Sequence, residues 1–510
     1  MTETGKSVMI FAGVYLLVCF ALSIYATKKS AKETSQKDFY VASGSLGTIV
    51  LFLTALATAF SAFAFQGQLG QTYNFGLSAI FNFFGYGVLS YPLFLLIGSK
   101  LWYYGRTYGY ITPADFIAHR YESGAAARIL VGLIISVYFS IFYIVVQIKG
   151  CSWAIQEATG MDVPAASLVI ALVLAAYVSI GGMRAVAYTD VVQAVFLLCG
   201  TSVVVLSMIY GNGGLDMLYE KAILIKADAF TPRGPLSASM GGGLVMWLSM
   251  PLWPVLWTKY YCAKNLSTLH SVATGCGLGT VLVTVTAPLI IVAGLIIAYP
   301  AASASEADNL VIRYVLNFTH PLVASVVLGG LLSAAMSTAD GLLLLISSVF
   351  TRDLPLALPE EYRTKFSEKT LVNFGRVMIF AVIGISYYIS LYPLGQLVTM
   401  GTQLAYPGYL LAIPVVIGGL WWKRGSRAGM TWGLLAGLAT IYITTYVARN
   451  PLLLHSGLWG VAVCAVVYIA VSMTTKPNSQ ATLRQFGLAD GQLEDAAALS
   501  ALEYAEKQKA

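Results

Sequence analysis

Charged side chains are scarce in this chain. Asp, Glu, Lys and Arg make up 10% of its 510 residues, where a soluble globular chain carries about a quarter. That deficit excludes a large water-soluble domain. Histidine is rarer still: His119, His270, His320 and His455 are the only four, and each sits near the end of an apolar run. The six cysteines are Cys19, Cys151, Cys199, Cys262, Cys276 and Cys464. They form no CxxC pair and no Cys/His group, so neither a disulfide framework nor a metal site is indicated. No P-loop lysine, nucleophile elbow or metalloprotease helix occurs. The chain does not read as an enzyme, nor as a pump driven by its own nucleotide domain.

Apolar residues fill the sequence instead, at 58%, with a mean hydropathy of +0.75. A bilayer crossing needs about 20 mostly apolar residues. Thirteen runs qualify: 8–26, 47–73, 79–104, 127–159, 163–180, 186–210, 237–262, 271–299, 320–350, 370–391, 394–422, 428–447 and 457–474. They are called spans 1 to 13. The expectation is an all-α polytopic membrane protein of about 13 transmembrane helices. The net charge of +7 does not point to nucleic acid, because the basic residues lie in short loops. With the N-terminus outside, 23 of the 30 Lys and Arg residues fall on the inner side. Arg120, Lys259 and Lys264 are read among them as loop residues. That bias places the chain in a cytoplasmic membrane, with its C-terminus inside. The tail 476–510 is too polar to span and reads as a cytoplasmic appendage.

Spans 2–6 (47–210) and 7–11 (237–422) form two blocks of five. An odd number of crossings per block makes the second run inverted, as in many secondary transporters. Residues 1–46 hold the first helix and its loop, and 423–475 hold two peripheral helices. Each block opens on an interrupted helix. Span 2 contains Ala57-Thr58-Ala59-Phe60-Ser61 and then Gly67 and Gly70; span 7 contains Gly241-Gly242-Gly243 and then Pro251 and Pro254. Interrupted helices free carbonyls at the midplane, where ions and solutes can be held.

Span 9 carries Ser333-Ala334-Ala335-Met336-Ser337-Thr338-Ala339-Asp340. Sodium is a hard cation and prefers oxygen. Ser337 and Thr338 offer adjacent hydroxyls, and the Ala334 carbonyl lies one turn before them. The alternative is that both hydroxyls simply bond back to their own helix. Asp340 is an acid inside a span, which marks it as a functional candidate. Asp190 with Gln193 reads as a capping box at the start of span 6. Lys149 is a lysine well inside span 4. It either snorkels to the outer face or faces a solute carboxylate.

Several stretches, in order, resemble the sodium/solute symporter family: Asp38-Phe39-Tyr40-Val41-Ala42; Thr112-Pro113-Ala114-Asp115-Phe116 with Arg120-Tyr121; Gly181-Gly182-Met183-Arg184-Ala185-Val186 with Thr189-Asp190-Val191-Val192-Gln193; Lys259-Tyr260-Tyr261; Ser333 to Asp340; and Trp421-Trp422-Lys423-Arg424. The resemblance implies a LeuT-type core of five plus five inverted helices with sodium as the coupling ion. It implies a sodium site made by the carbonyls of Ala57, Phe60 and Ala334 and the hydroxyls of Ser337 and Thr338. It places Asp190 near the ion exit. Asp340-Gly341 departs from the hydroxyl pair of relatives with two sodium sites, which leaves the stoichiometry open. The implied solute site lies beside the ion, where the nearby candidates are Ser61, Gln66, Gln147, Lys149, Gln403, Phe63, Phe83 and Trp253. Proline-type relatives carry an acid where this chain has Ala59. With Lys149, that absence points to a small organic anion such as a monocarboxylate, imported with sodium. A neutral solute or amino acid, a passive facilitator and a sensor are the alternatives.

Overall fold

The computed structural model describes residues 3–30, 35–88, 90–231, 236–359, 361, 366–448 and 451–489. Most of the expected tail, 490–510, lies outside them. Among the described residues the structure is helical apart from turns and one isolated bridge, Leu46 to Ala263.

Eleven helices are long and apolar enough to cross a membrane, from Glu3–Ala26 to Ser456–Thr474. Span 2 is a bent pair, Thr48–Ala59 and Phe63–Phe75, that is long and apolar enough to cross when taken together, with a bend of 56° between its halves. Span 7 is helical but divided into Leu236–Ser249, a tight turn at Met250–Leu252, and Pro254–Cys262. Neither half alone reaches the length of a crossing.

The two breaks have different local causes. In span 7, Pro251 and Pro254 remove backbone donors, and Trp253 precedes a proline, which disfavours the helical region. Trp253 accordingly sits at φ −57°, ψ 118°. Span 2 has no proline there. Its break falls at Phe60, at φ −97°, ψ 122°, and a side chain from another span satisfies the freed backbone: Ala62 N–H donates to Gln147 Oε1 at 3.0 Å.

Span 9, Pro321–Ser348, runs through the middle of the bundle, and the stretch from Val327 to Ser348 is buried throughout. Span 1 packs on it rather than standing apart. Ser7 and Ser325 hydroxyls meet at 3.1 Å, and the Tyr15 ring meets Phe196 of span 6 at 5.5 Å.

Two residues expected in loops are buried. Arg120 donates from Nε to Gly419 O at 2.8 Å and from Nη2 to Trp422 O at 3.0 Å, tying helix Pro113–Arg120 to the end of span 11. Lys259 lies within the second half of span 7, Pro254–Cys262, and is 1% exposed. Asp115, on the same short helix as Arg120, pairs with Arg128 and Arg352. Burial acts to raise its carboxyl, but Arg352 and Arg128 outweigh that and hold it below the usual range. The tail begins with a short helix, Gln480–Gln485, that docks here. Phe486 is fully buried, 4.7 Å from the Tyr104 ring and 5.1 Å from His119. His119 joins Tyr110 OH at 2.6 Å to Gln485 Oε1 at 2.8 Å. All six cysteines are free; five are buried and Cys199 is exposed on span 6.

Candidate ion and solute site

The break in span 2 faces the middle of span 9, and the five expected ion ligands meet there. Ser337 Oγ lies 2.9 Å from Ala57 O and 3.1 Å from Ala334 O. Thr338 Oγ1 lies 3.2 Å from Ala334 O, 3.4 Å from Phe60 O and 3.0 Å from Thr58 O. The hydroxyls bond back to their own helix, and they also bridge to carbonyls of span 2. The cluster is an oxygen cage of hydroxyls and carbonyls, the donor set a hard monovalent cation prefers. Thr58 is an addition that the sequence did not single out. Its carbonyl faces Thr338, and its own hydroxyl is buried without a partner.

Asp190 is not at a helix start. Span 6 begins at Met183, after Gly182 at φ +79°, a conformation that glycine adopts without strain. Asp190 is therefore two turns into the helix, fully buried, and the capping-box reading is wrong. It accepts from Thr54 and stands 3.5 Å from Lys259 Nζ. Asp340 is fully buried and accepts from Tyr177 OH.

Beside the cage, the two breaks and span 4 meet in a buried aromatic cluster. Ser61 Oγ meets Tyr143 OH at 3.2 Å, and Tyr143 OH meets Tyr406 OH at 3.2 Å. Trp253 stands edge-on to Tyr143 at 5.2 Å, and Phe63 packs against Phe83, Tyr143 and Tyr406 at 5.8, 6.1 and 5.9 Å. Gln147 bonds to Ala62 N and to Tyr143 O. Gln66 is buried with neither amide atom partnered, as is the Trp253 indole N–H. Ser61, Gln66, Phe83, Gln147 and Trp253 thus gather about the breaks. Gln403 does not belong: it is exposed, on a π-helical turn of span 11. Tyr406 and Tyr409 are the residues that span 11 contributes. They and Tyr143 were missed because a tyrosine in a membrane run carries no periodic signal of its own.

Lys149 stands in a different place. Its Nζ donates to Tyr392 O at 2.6 Å. It lines a cavity of about 450 Å³ with Trp153, Asp308, Leu394 and Gln396, which none of the cluster residues above lines. Asp308 shares that cavity and accepts from Leu397 N–H at 2.9 Å, in the first turn of span 11. Burial pushes its carboxyl up to about 7, against the smaller opposing effect of that bond.

Two broken helices beside a buried cluster of hydroxyl and carbonyl oxygens are the arrangement expected of an ion-coupled carrier. Residues 39–437 match the sodium:solute symporter family, and the chain belongs to it. It is 26% identical to the osmoregulated proline transporter of Bacillus subtilis, over 94% of this chain and 97% of that one. It is 25% identical to the sodium/pantothenate symporter of Haemophilus influenzae, over 85% and 89%. A solved structure of a Na+-coupled sialic acid symporter superposes with a TM-score of 0.79 at 15% identity, covering 94% of this chain and 99% of that one. The chain is a multi-pass, LeuT-type sodium-coupled solute symporter, with sodium as its coupling ion.

Proposed function

We propose that this chain imports a small carboxylate-bearing solute, a monocarboxylate in the simplest case, together with sodium across the cytoplasmic membrane. The observation that carries the reading is the chemistry of the cluster at the two breaks. It offers aromatic, hydroxyl and amide groups, and sodium held in the cage would lie beside it. A carboxylate beside that ion gains an electrostatic partner in a low-dielectric site, and the two binding events then strengthen each other. Gln66 has an amide free to hold the solute's oxygens. Proline, pantothenate and sialic acid, named for the relatives above, all carry a carboxylate. Lys149 meets the anion in the outer cavity on its way in, rather than at the breaks.

The membrane potential supplies about 2.3 kcal/mol per charge per 100 mV, before any concentration term. In this reading 47–210 and 237–422 are the inverted repeats that rock against each other, with 1–46 and 423–475 outside that core. The N-terminus is outside and the tail inside. A panel of labelled carboxylates and their neutral amides, tested for uptake down a sodium gradient, decides the solute. Uptake confined to the neutral or cationic compounds would remove the carboxylate reading and leave sodium symport intact. A cysteine placed in the tail and labelled from outside intact cells would reverse the orientation.

A further inference from the structure

Three ionisable side chains are buried together beside the sodium cage. Lys259, on the second half of span 7, is 1% exposed, and Asp190 of span 6 and Asp340 of span 9 are fully buried. Lys259 Nζ donates to Thr54 Oγ1 at 2.9 Å and stands 3.5 Å from Asp190 Oδ2. Thr54 itself donates to the same carboxylate. Asp340 accepts from Tyr177, whose hydroxyl also meets Thr189 at 2.9 Å. Asp190 Oδ1 and Asp340 Oδ1 are both buried without a hydrogen-bond partner.

An uncompensated buried charge costs several kcal/mol, so the balance of charge in this cluster is a physical constraint. Two carboxylates face one ammonium. Sodium at the cage would supply the remaining positive charge, since Thr338 and Asp340 lie within one turn of span 9. With an ion bound there, two negative and two positive charges would be gathered within one desolvated region.

We propose that Lys259 is a tethered cation that takes the place of a second coupling ion, so that this chain binds one sodium per transport cycle. The lysine neutralises part of the acid pair without being carried across. It touches no solute and acts through Asp190, which makes it a positioning residue that sets stoichiometry. Sequence alone concealed it, because a lysine near the end of an apolar run reads as a loop residue.

The test is a count of bound sodium. Purified protein in lipid nanodiscs is titrated with radioactive sodium, with no solute added. The wild type should bind one ion per chain, with a Hill coefficient of about 1, while Lys259→Met should bind a second and bring the coefficient toward about 2. Lys259→Arg should bind one. Two ions on the wild type would overturn the proposal, whereas no bound ion would instead refute the sodium assignment. A Lys259→Met protein with the wild-type melting temperature that binds only one ion would also overturn it. Should that variant fail to fold, the double variant Asp190→Asn with Lys259→Met retains a single acid and should bind one ion; two would refute the charge argument.

Discussion

Removing the two hydroxyls of the cage should weaken sodium and spare the rest of the chain. Ser337 and Thr338 each reach carbonyls on both span 2 and span 9, at 2.9 to 3.4 Å. A polar contact to a charged group contributes about 1.5–3 kcal/mol. Each single alanine should therefore raise the half-saturating sodium concentration by about 10- to 100-fold. The double variant should exceed either single one. The same substitutions also break bridges between spans 2 and 9, at about 1 kcal/mol for each neutral hydrogen bond. Fold and ion affinity are separated by melting the protein with and without sodium. Ligand-induced stabilisation follows RT ln(1 + [L]/Kd), so a loss of affinity shrinks the sodium-dependent rise in Tm, whereas a loss of packing lowers both melts equally. Half-saturation within about twofold of wild type, with the sodium-dependent rise intact, would refute the cage as the coupling site.

Three more outcomes are expected. Gly70→Ala should lower Tm and impair uptake, because the added Cβ would run into Asp308 Oδ1 and lie 2.7 Å from Asp308 N, an overpacking that costs about 1–3 kcal/mol. Asp308→Asn should flatten the pH dependence of Tm. A carboxyl raised to about 7 holds its proton more tightly folded than unfolded, so its stabilisation is complete below the ordinary carboxyl range of about 4 and is lost as pH rises through about 7, by up to about 4 kcal/mol. A wild-type Tm that does not fall over that interval would contradict this. Phe486→Ala should release the docked tail, since truncating a buried aromatic costs about 3–5 kcal/mol. Protease applied to inside-out vesicles should then cleave near Gln485 faster than in the wild type, and an unchanged rate would refute the docking.

What the sequence showed and what it hid follow from different physics. Helical crossings were legible because hydrocarbon demands long apolar runs, and the break in span 7 because proline leaves a local mark. The meeting of Ala57, Phe60, Ala334, Ser337 and Thr338 was legible through adjacent hydroxyls opposite a small-residue break. The partners of charged residues were not. Lys259 and Arg120 lie beside apolar runs, where basic side chains ordinarily mark loops, yet each turns inward to acceptors on distant spans: Asp190 and Thr54 for one, Gly419 O and Trp422 O for the other. Asp190 was misplaced because the start of its helix depends on the backbone at Gly182. Lys149 and Gln147 are two residues apart on one helix and reach different partners, Tyr392 O for one and Ala62 N for the other, which is a matter of helical phase against neighbours that one sequence does not reveal. Gln403 was expected beside the solute, but the π-helical turn at Gly401–Ala405 changes the phase of span 11 and leaves it exposed.

The distribution of thiols has a practical consequence. Five of the six cysteines are buried, and the sixth, Cys199, is exposed on a membrane-spanning helix. A water-soluble maleimide reacts with a thiolate, a species that neither a packed interior nor hydrocarbon favours. The natural chain is therefore a quiet background for side-selective chemistry. A single cysteine introduced at an exposed helix start or turn, such as Gly124 or Ala301, should report its own sidedness without the native six first being replaced. Cysteines introduced along the broken halves of spans 2 and 7 would follow, in the unmodified protein, which of them becomes wet when sodium and solute are added.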